Sequence, residues 1–170
     1  SGQLRPTEGS ILLQGRDITS MPTSARALAG LGRAFQLTNL FPQLSVLENV
    51  RLVVQARRGF GYSLLSLWTA HRDAIDEAER CLERVSLQHR RDATAASLPH
   101  GDQRKLEVAL LIALDPDVFL FDEPTAGMSI DEVPVILDLI REIKTNASKT
   151  VLLVEHKMDV VRSLADRIIV

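Results

Sequence analysis

The chain has 170 residues, 45% hydrophobic and 25% charged, and its 20 basic and 22 acidic side chains give a net charge of −2. That balance excludes a disordered chain and provides no global attraction to nucleic acid or a membrane surface. The single cysteine, Cys81, excludes an internal disulfide framework, and no apolar run reaches the ~18 residues of a membrane span.

Neither a signal peptide nor an initiator methionine precedes Ser1-Gly2-Gln3, so a soluble cytosolic excerpt of a longer polypeptide is expected. Residues 9–14 (GSILLQ) predict a short strand, closed by a turn at Gly15-Arg16-Asp17. Thr23 to Leu31 predicts a small helix capped by Thr23 or Ser24. Gly32-Arg33-Ala34-Phe35-Gln36 predicts a second strand ending in a polar residue. Ser45 opens a helix through Arg57, with Glu48 placed to complete a capping box. Residues 58–70, which hold the only Trp and Tyr, form an unpatterned insertion. Ile75, Ala78, Leu82 and Val85 fall on one stripe of a helix over 74–87.

A further helix runs from Pro99 to Leu114. After the turn Asp115-Pro116-Asp117, the apolar run Val118-Phe119-Leu120-Phe121 reads as a strand buried on both faces. The last third alternates helix 129–144, strand 150–155, helix 158–165 and strand 167–170. Apolar strands separated by helices imply right-handed crossovers and a parallel α/β sheet. Three segments are expected: 1–44, the remainder of an N-terminal strand region; 45–107, a helical section; and 108–170, the main α/β core.

Asp122 and Glu123 close the apolar strand, at the carboxyl edge where open α/β sheets bind ligands. If a magnesium nucleotide binds there, Asp122 would hold the metal and Glu123 would orient and deprotonate the attacking water. The same two carboxylates would also serve simply to cap the following turn. His156 ends the strand over 150–155 and is either a sensor of the terminal phosphate or a surface residue. Gln36, at another strand end, would reach the metal or the water. Leu98-Pro99-His100-Gly101-Asp102-Gln103 opens a helix, with Pro99 and Asp102 marking its start. Gly101 would let a phosphate approach the amides there, although an ordinary helix start has the same composition. The phosphate-cradling pattern G-x-x-x-x-G-K-S/T is absent from the 170 residues.

Taken in order and spacing, Gln36, LPHGDQRKLE, VFLFDEPTAG and VLLVEH resemble the Q-loop, signature, Walker B and H-loop of the ATP-binding subunits of ABC transporters. The similarity covers essentially the whole chain. RAFQLTNLFPQLSVLENV, the insertion, GDQRKLE and AGM after the Walker B look most like the branched-chain amino-acid importer subfamily. The resemblance implies a P-loop NTPase (ABC ATPase) core with a mainly parallel sheet plus a helical subdomain, its N-terminal part truncated. The missing phosphate loop would then lie upstream of Ser1.

By the same resemblance ATP and Mg2+ are the cofactors, Asp122 and Gln36 serve the metal, and Glu123 is the general base. His156 meets the γ-phosphate, and Leu98 to Gln103 contact nucleotide held by a second ATP-binding subunit. Phe41 and Leu44 would grip a transmembrane permease subunit, or else pack in the core. The implied role is ATP hydrolysis energising import of branched-chain amino acids or similar small polar solutes. The implied place is the cytoplasmic face of the cell membrane, with a solute-binding protein as an indirect partner and no nucleic acid.

Two departures bear on this. Pro99 stands where the family pattern has a serine, which removes a hydroxyl and an N–H. Ser129 stands where an acidic residue is common. A non-catalytic, regulatory protein of this fold is therefore the alternative. A DNA-repair or chromosome-organising ATPase is disfavoured, because the span from Gln36 to Leu98 is too short for long coiled coils. For the 170 residues alone hydrolysis is not expected, and apolar surface left uncovered on the sheet is expected to be hidden by dimerisation or strand exchange.

Overall fold

A computed structural model describes residues 2, 4, 6–34, 40–59 and 72–169; Gln36 and the insertion's Tyr62 and Trp68 lie outside them. The chain opens on a small antiparallel hairpin, β1 (Leu12–Leu13) and β2 (Arg16–Asp17). The strand expected over 9–14 is thus broken earlier, because Gln14 (φ 50°) and Gly15 (φ 79°) both turn left-handed and reverse the chain. Helix α1 (Thr23–Leu28) is shorter than expected and has Pro22 at its N-cap, with no side-chain cap from Thr23 or Ser24. Gly30, at φ 96°, ends the turn, and β3 (Leu31–Ala34) starts at once.

Helix α2 (Val46–Arg57) begins where the Ser45 hydroxyl accepts from the Glu48 amide at 3.1 Å. Only this half of the expected capping box forms, since the Glu48 carboxylate accepts instead from Arg51 Nε at 2.8 Å. Helix α3 (Arg72–Arg84) is followed by Ser86 at φ 59°, which stops the helix short of Leu87. Helix α4 (His100–Leu114) runs unbroken into Asp115, whose φ of 49° makes a left-handed C-cap. Strand β4 (Val118–Asp122), helix α5 (Val133–Thr145), strand β5 (Thr150–Val154) and helix α6 (Met158–Leu164) complete the order. Residues 167–169 are not a strand, because no neighbouring strand among the described residues offers them a ladder.

The three main strands are parallel in the order β3-β4-β5, with Ala34 opposite Phe121 and Asp122 opposite Val154. The core joins the buried faces of α2, α3 and α4 (Val50, Val54, Ala78, Leu82, Leu106) to Phe119, Phe121, Ile136 and Ile140. Burial on β4 alternates, contrary to the expectation of two buried faces: Phe119 and Phe121 are buried while Val118, Leu120 and Asp122 are half-buried. On the opposite sheet face Leu152 and Val154 are 53% and 50% exposed.

One glycine decides how closely the sheet approaches α4. A Cβ at Gly32 would lie 2.5 Å from Leu111 Cδ1 and 2.5 Å from Pro116 Cγ. Gly32→Ala is expected to destabilise the protein by about 1–3 kcal/mol through overpacking. A urea midpoint shifted by less than the scatter of repeat titrations would show that the α4 end yields freely.

Candidate functional site

Parallel strands deliver three of the anticipated side chains to one edge. Asp122 is the last residue of β4, Glu123 follows it, and His156 lies just past β5. His156 Nε2 stands 2.8 Å from Glu123 Oε1, with the imidazole 82% exposed and the carboxylate 26% exposed. The Glu123 amide donates to Val154 O at 2.9 Å, which ties the backbone of the two loops together. Glu123 sits at φ 49°, a left-handed conformation that costs a non-glycine residue energy and collects at functional loops.

Residues that the motifs did not single out hold this edge. Arg33 Nη2 donates to Asp122 Oδ2 at 2.7 Å, so a cation from β3 faces the anticipated metal carboxylate. Thr125, fully buried, donates to Glu155 Oε1 at 2.5 Å. The other Glu155 oxygen accepts from the amides of His156 (2.9 Å) and Lys157 (3.3 Å), so one carboxylate braces the β4 loop against the His156 loop. A buried hydroxyl two residues before Gly127 gives no periodic signal, and only the partner across 30 residues reveals its use.

The anticipated signature turn lies at the start of α4. Pro99 is the N-cap and no side chain caps it, as the loss of the serine hydroxyl requires. Gln103 Nε2 donates to Leu98 O at 3.0 Å and fixes the entry of the chain. Packing alone also calls for Gly101: a Cβ there would lie 2.5 Å from Glu132 Oε2. Likewise a Cβ at Gly127 would lie 2.9 Å from His100 Cε1. The Asp102 carboxylate is engaged by Lys105 at 3.1 Å.

The helix expected from 129 starts only at Val133, because Ser129 to Glu132 is a turn in which the Glu132 carboxylate accepts from the Ser129 amide (3.0 Å) and hydroxyl (2.9 Å). Lys105 donates to Glu132 Oε1 at 2.8 Å. This Lys105 bond first, then the Ser129 amide, holds the Glu132 carboxyl at about 2, below its ordinary 4.5. A depressed carboxyl stabilises the fold above its unfolded value, so this contribution is complete above about 4.5 and is lost as pH falls through about 2.

Gln36 belongs to the same anticipated site but lies outside the described residues. Past it, Asn49 is buried and shapes the next segment: its Oδ1 accepts from the Phe41 amide at 2.8 Å, and its Nδ2 donates to Phe41 O and Ser45 O. Leu44 O accepts from the Ala95 amide and Pro42 O from the Ala96 amide, which stitches this segment to the one before α4. Phe41 is 57% exposed, which excludes simple core packing for it; Leu44 is half-buried.

As to a metal, no group of three or more His, Cys, Asp or Glu among the described residues is arranged to hold one. Magnesium does not need such a cage, since one or two carboxylates plus nucleotide phosphates and water suffice, and Asp122 with Glu123 offers that oxygen chemistry.

A mainly parallel sheet with these carboxylates at one edge, joined to a helical section, defines a cassette of the P-loop NTPase fold class. The family model described as "ABC transporter" matches residues 1–126, and the chain belongs to that family. It is 35% identical over 175 residues to the high-affinity branched-chain amino acid transport ATP-binding protein LivG of Escherichia coli K12, covering 100% of this chain and 69% of that protein. The corresponding protein BraF of Pseudomonas aeruginosa is 34% identical over 176 residues, again covering 100% and 69%.

Among solved structures, the dimeric post-hydrolysis state of the ATP-binding cassette MJ0796 bound to ADP and Pi superposes with a TM-score of 0.78 at 25% identity, covering 93% of this chain and 67% of that one. The ADP conformation of the cassette MJ1267 gives 0.73 at 23% identity, covering 98% and 66%. This chain therefore spans roughly two thirds of the length of these relatives. No helix among the described residues is long and apolar enough to cross a membrane.

Proposed function

We propose that this chain belongs to the ATP-binding and ATP-hydrolysing subunit of an importer, energising uptake of branched-chain amino acids or similar small polar solutes. The observation that carries the reading is the meeting of Asp122, Glu123 and His156 at the carboxyl ends of adjacent parallel strands. Glu123 accepts the proton of the attacking water, and His156, whose Nε2 lies 2.8 Å from Glu123 Oε1, holds the carboxylate in place and reaches the terminal phosphate. Asp122 and Gln36 would hold Mg2+, which would neutralise charge on the phosphates. Arg33, whose Nη2 donates to Asp122 Oδ2, keeps that carboxylate oriented until then.

Leu98 to Gln103 face the nucleotide of a second ATP-binding subunit, a reading supported by the dimeric neighbour. Phe41, exposed beside Leu44, meets a transmembrane permease subunit, which places the protein at the cytoplasmic face of the cell membrane. A solute-binding protein acts indirectly, and nucleic acid has no part. The amino-acid specificity rests on the names of the relatives.

One observation favours a second, regulatory reading: α4 begins at Pro99 without a hydroxyl. Losing one charge-assisted hydrogen bond weakens a site by roughly 1.5–3 kcal/mol. Binding of Mg-ATP and phosphate release, measured on the full-length polypeptide, separate the two. Wild type is expected to bind and turn over, and Asp122→Asn to lose the magnesium dependence of binding. Binding without turnover would give the regulatory reading the lead, and no binding at all would end both.

A further inference from the structure

We infer that Glu132, clamped by Lys105, is a positioning residue that makes the first turn of α4 and the loop after β4 one rigid body. It rests on the nucleotide reading above, in which Glu123 serves the chain's own nucleotide and Gly101 serves its partner's. Two contacts join the segments. The Glu132 carboxylate lies against Gly101 so tightly that a Cβ there would be 2.5 Å away, and a Cβ at Gly127 would lie 2.9 Å from the His100 ring. Between them Lys105, only 8% exposed, bridges Asp102 on its own helix and Glu132 across the gap. Glu132 in turn binds both donors of Ser129, so its carboxylate has partners on each side of the junction.

Such a buried lysine depends on both carboxylates. Burial, the strongest single influence, pulls its pKa down, yet the bonds to Glu132 and Asp102 together raise it. Removing Glu132 leaves the ammonium with one partner in a closed site and frees the loop that carries Glu123. Ser129, which stands where the family pattern commonly has an acidic residue, is itself held by the acid three positions on.

Two readouts test this on the full-length polypeptide, with Glu132→Gln, Lys105→Met, the double variant and the charge-preserving Lys105→Arg. The first is amide hydrogen exchange without nucleotide. Lys105→Met is expected to speed exchange across 126–132, and Glu132→Gln to speed it across 100–104, each by about tenfold or more, with Lys105→Arg close to wild type. Faster exchange confined to the substituted segment would overturn the clamp.

The second is a split between binding and turnover. Mg-ATP affinity is expected to stay within about twofold while kcat drops roughly 10- to 100-fold, as misplacement by about 1 Å does. The double variant should be no worse than the poorer single one, since both remove the same contact. An unchanged kcat, or losses that multiply, would overturn the positioning role. Should the wild type prove unable to bind ATP, the nucleotide reading fails, and the exchange result still decides the clamp.

Discussion

Glu123→Gln in the full-length polypeptide is expected to abolish ATP turnover while leaving ATP binding intact. The amide keeps the size of the carboxylate and can still accept from His156 Nε2, which is 2.8 Å from Glu123 Oε1 in the wild type. What it loses is basicity. A positioned general base contributes roughly 10²–10⁴-fold, so phosphate release should fall by that factor at an unchanged dissociation constant. Loss of binding in parallel with turnover would mean that Glu123 holds the left-handed loop rather than the water. Turnover within about threefold of wild type would remove it from the reaction, because no general base contributes so little.

The second large effect is on stability. Phe121 is 1% exposed and stacks on Phe119, with ring centroids 6.1 Å apart at an interplanar angle of 13°. Phe121→Ala is expected to cost about 3–5 kcal/mol by removing buried area and leaving a cavity. That is a large share of the roughly 5–15 kcal/mol that holds a domain folded. Since the strand ends at Asp122 and Glu123 follows it, any surviving folded protein should also bind nucleotide less well. Urea denaturation followed by circular dichroism reads the first effect. A loss below about 1 kcal/mol would show that the Phe119 side refills the space.

Much of the site was legible because its chemistry sits at strand ends. An apolar run ending in Asp122 and Glu123, and another ending before His156, place those groups at one edge once the strands are parallel. The Asp122 to Val154 register of β4 and β5 bears out that adjacency. Arg33 was not legible, since its bond to Asp122 crosses 89 residues and nothing in a four-residue strand marks an arginine as a carboxylate's neighbour. The Thr125–Glu155 brace and the Lys105–Glu132 clamp escaped for the same reason. Some element ends also moved: α5 starts at Val133 because Glu132 turns back on Ser129, and 167–169 find no strand to pair with.

By itself the sequence determined the parallel α/β class, the helical section, the order of its motifs and the residues that carry charge at the strand ends, because period and composition are local properties. Only the tertiary structure decided which of those charges are neutralised and by whom. It bound the start of α4 to the loop after β4. Pairing across long stretches of chain depends on which faces pack together, and that is fixed by the burial of the whole core rather than by any short stretch of residues.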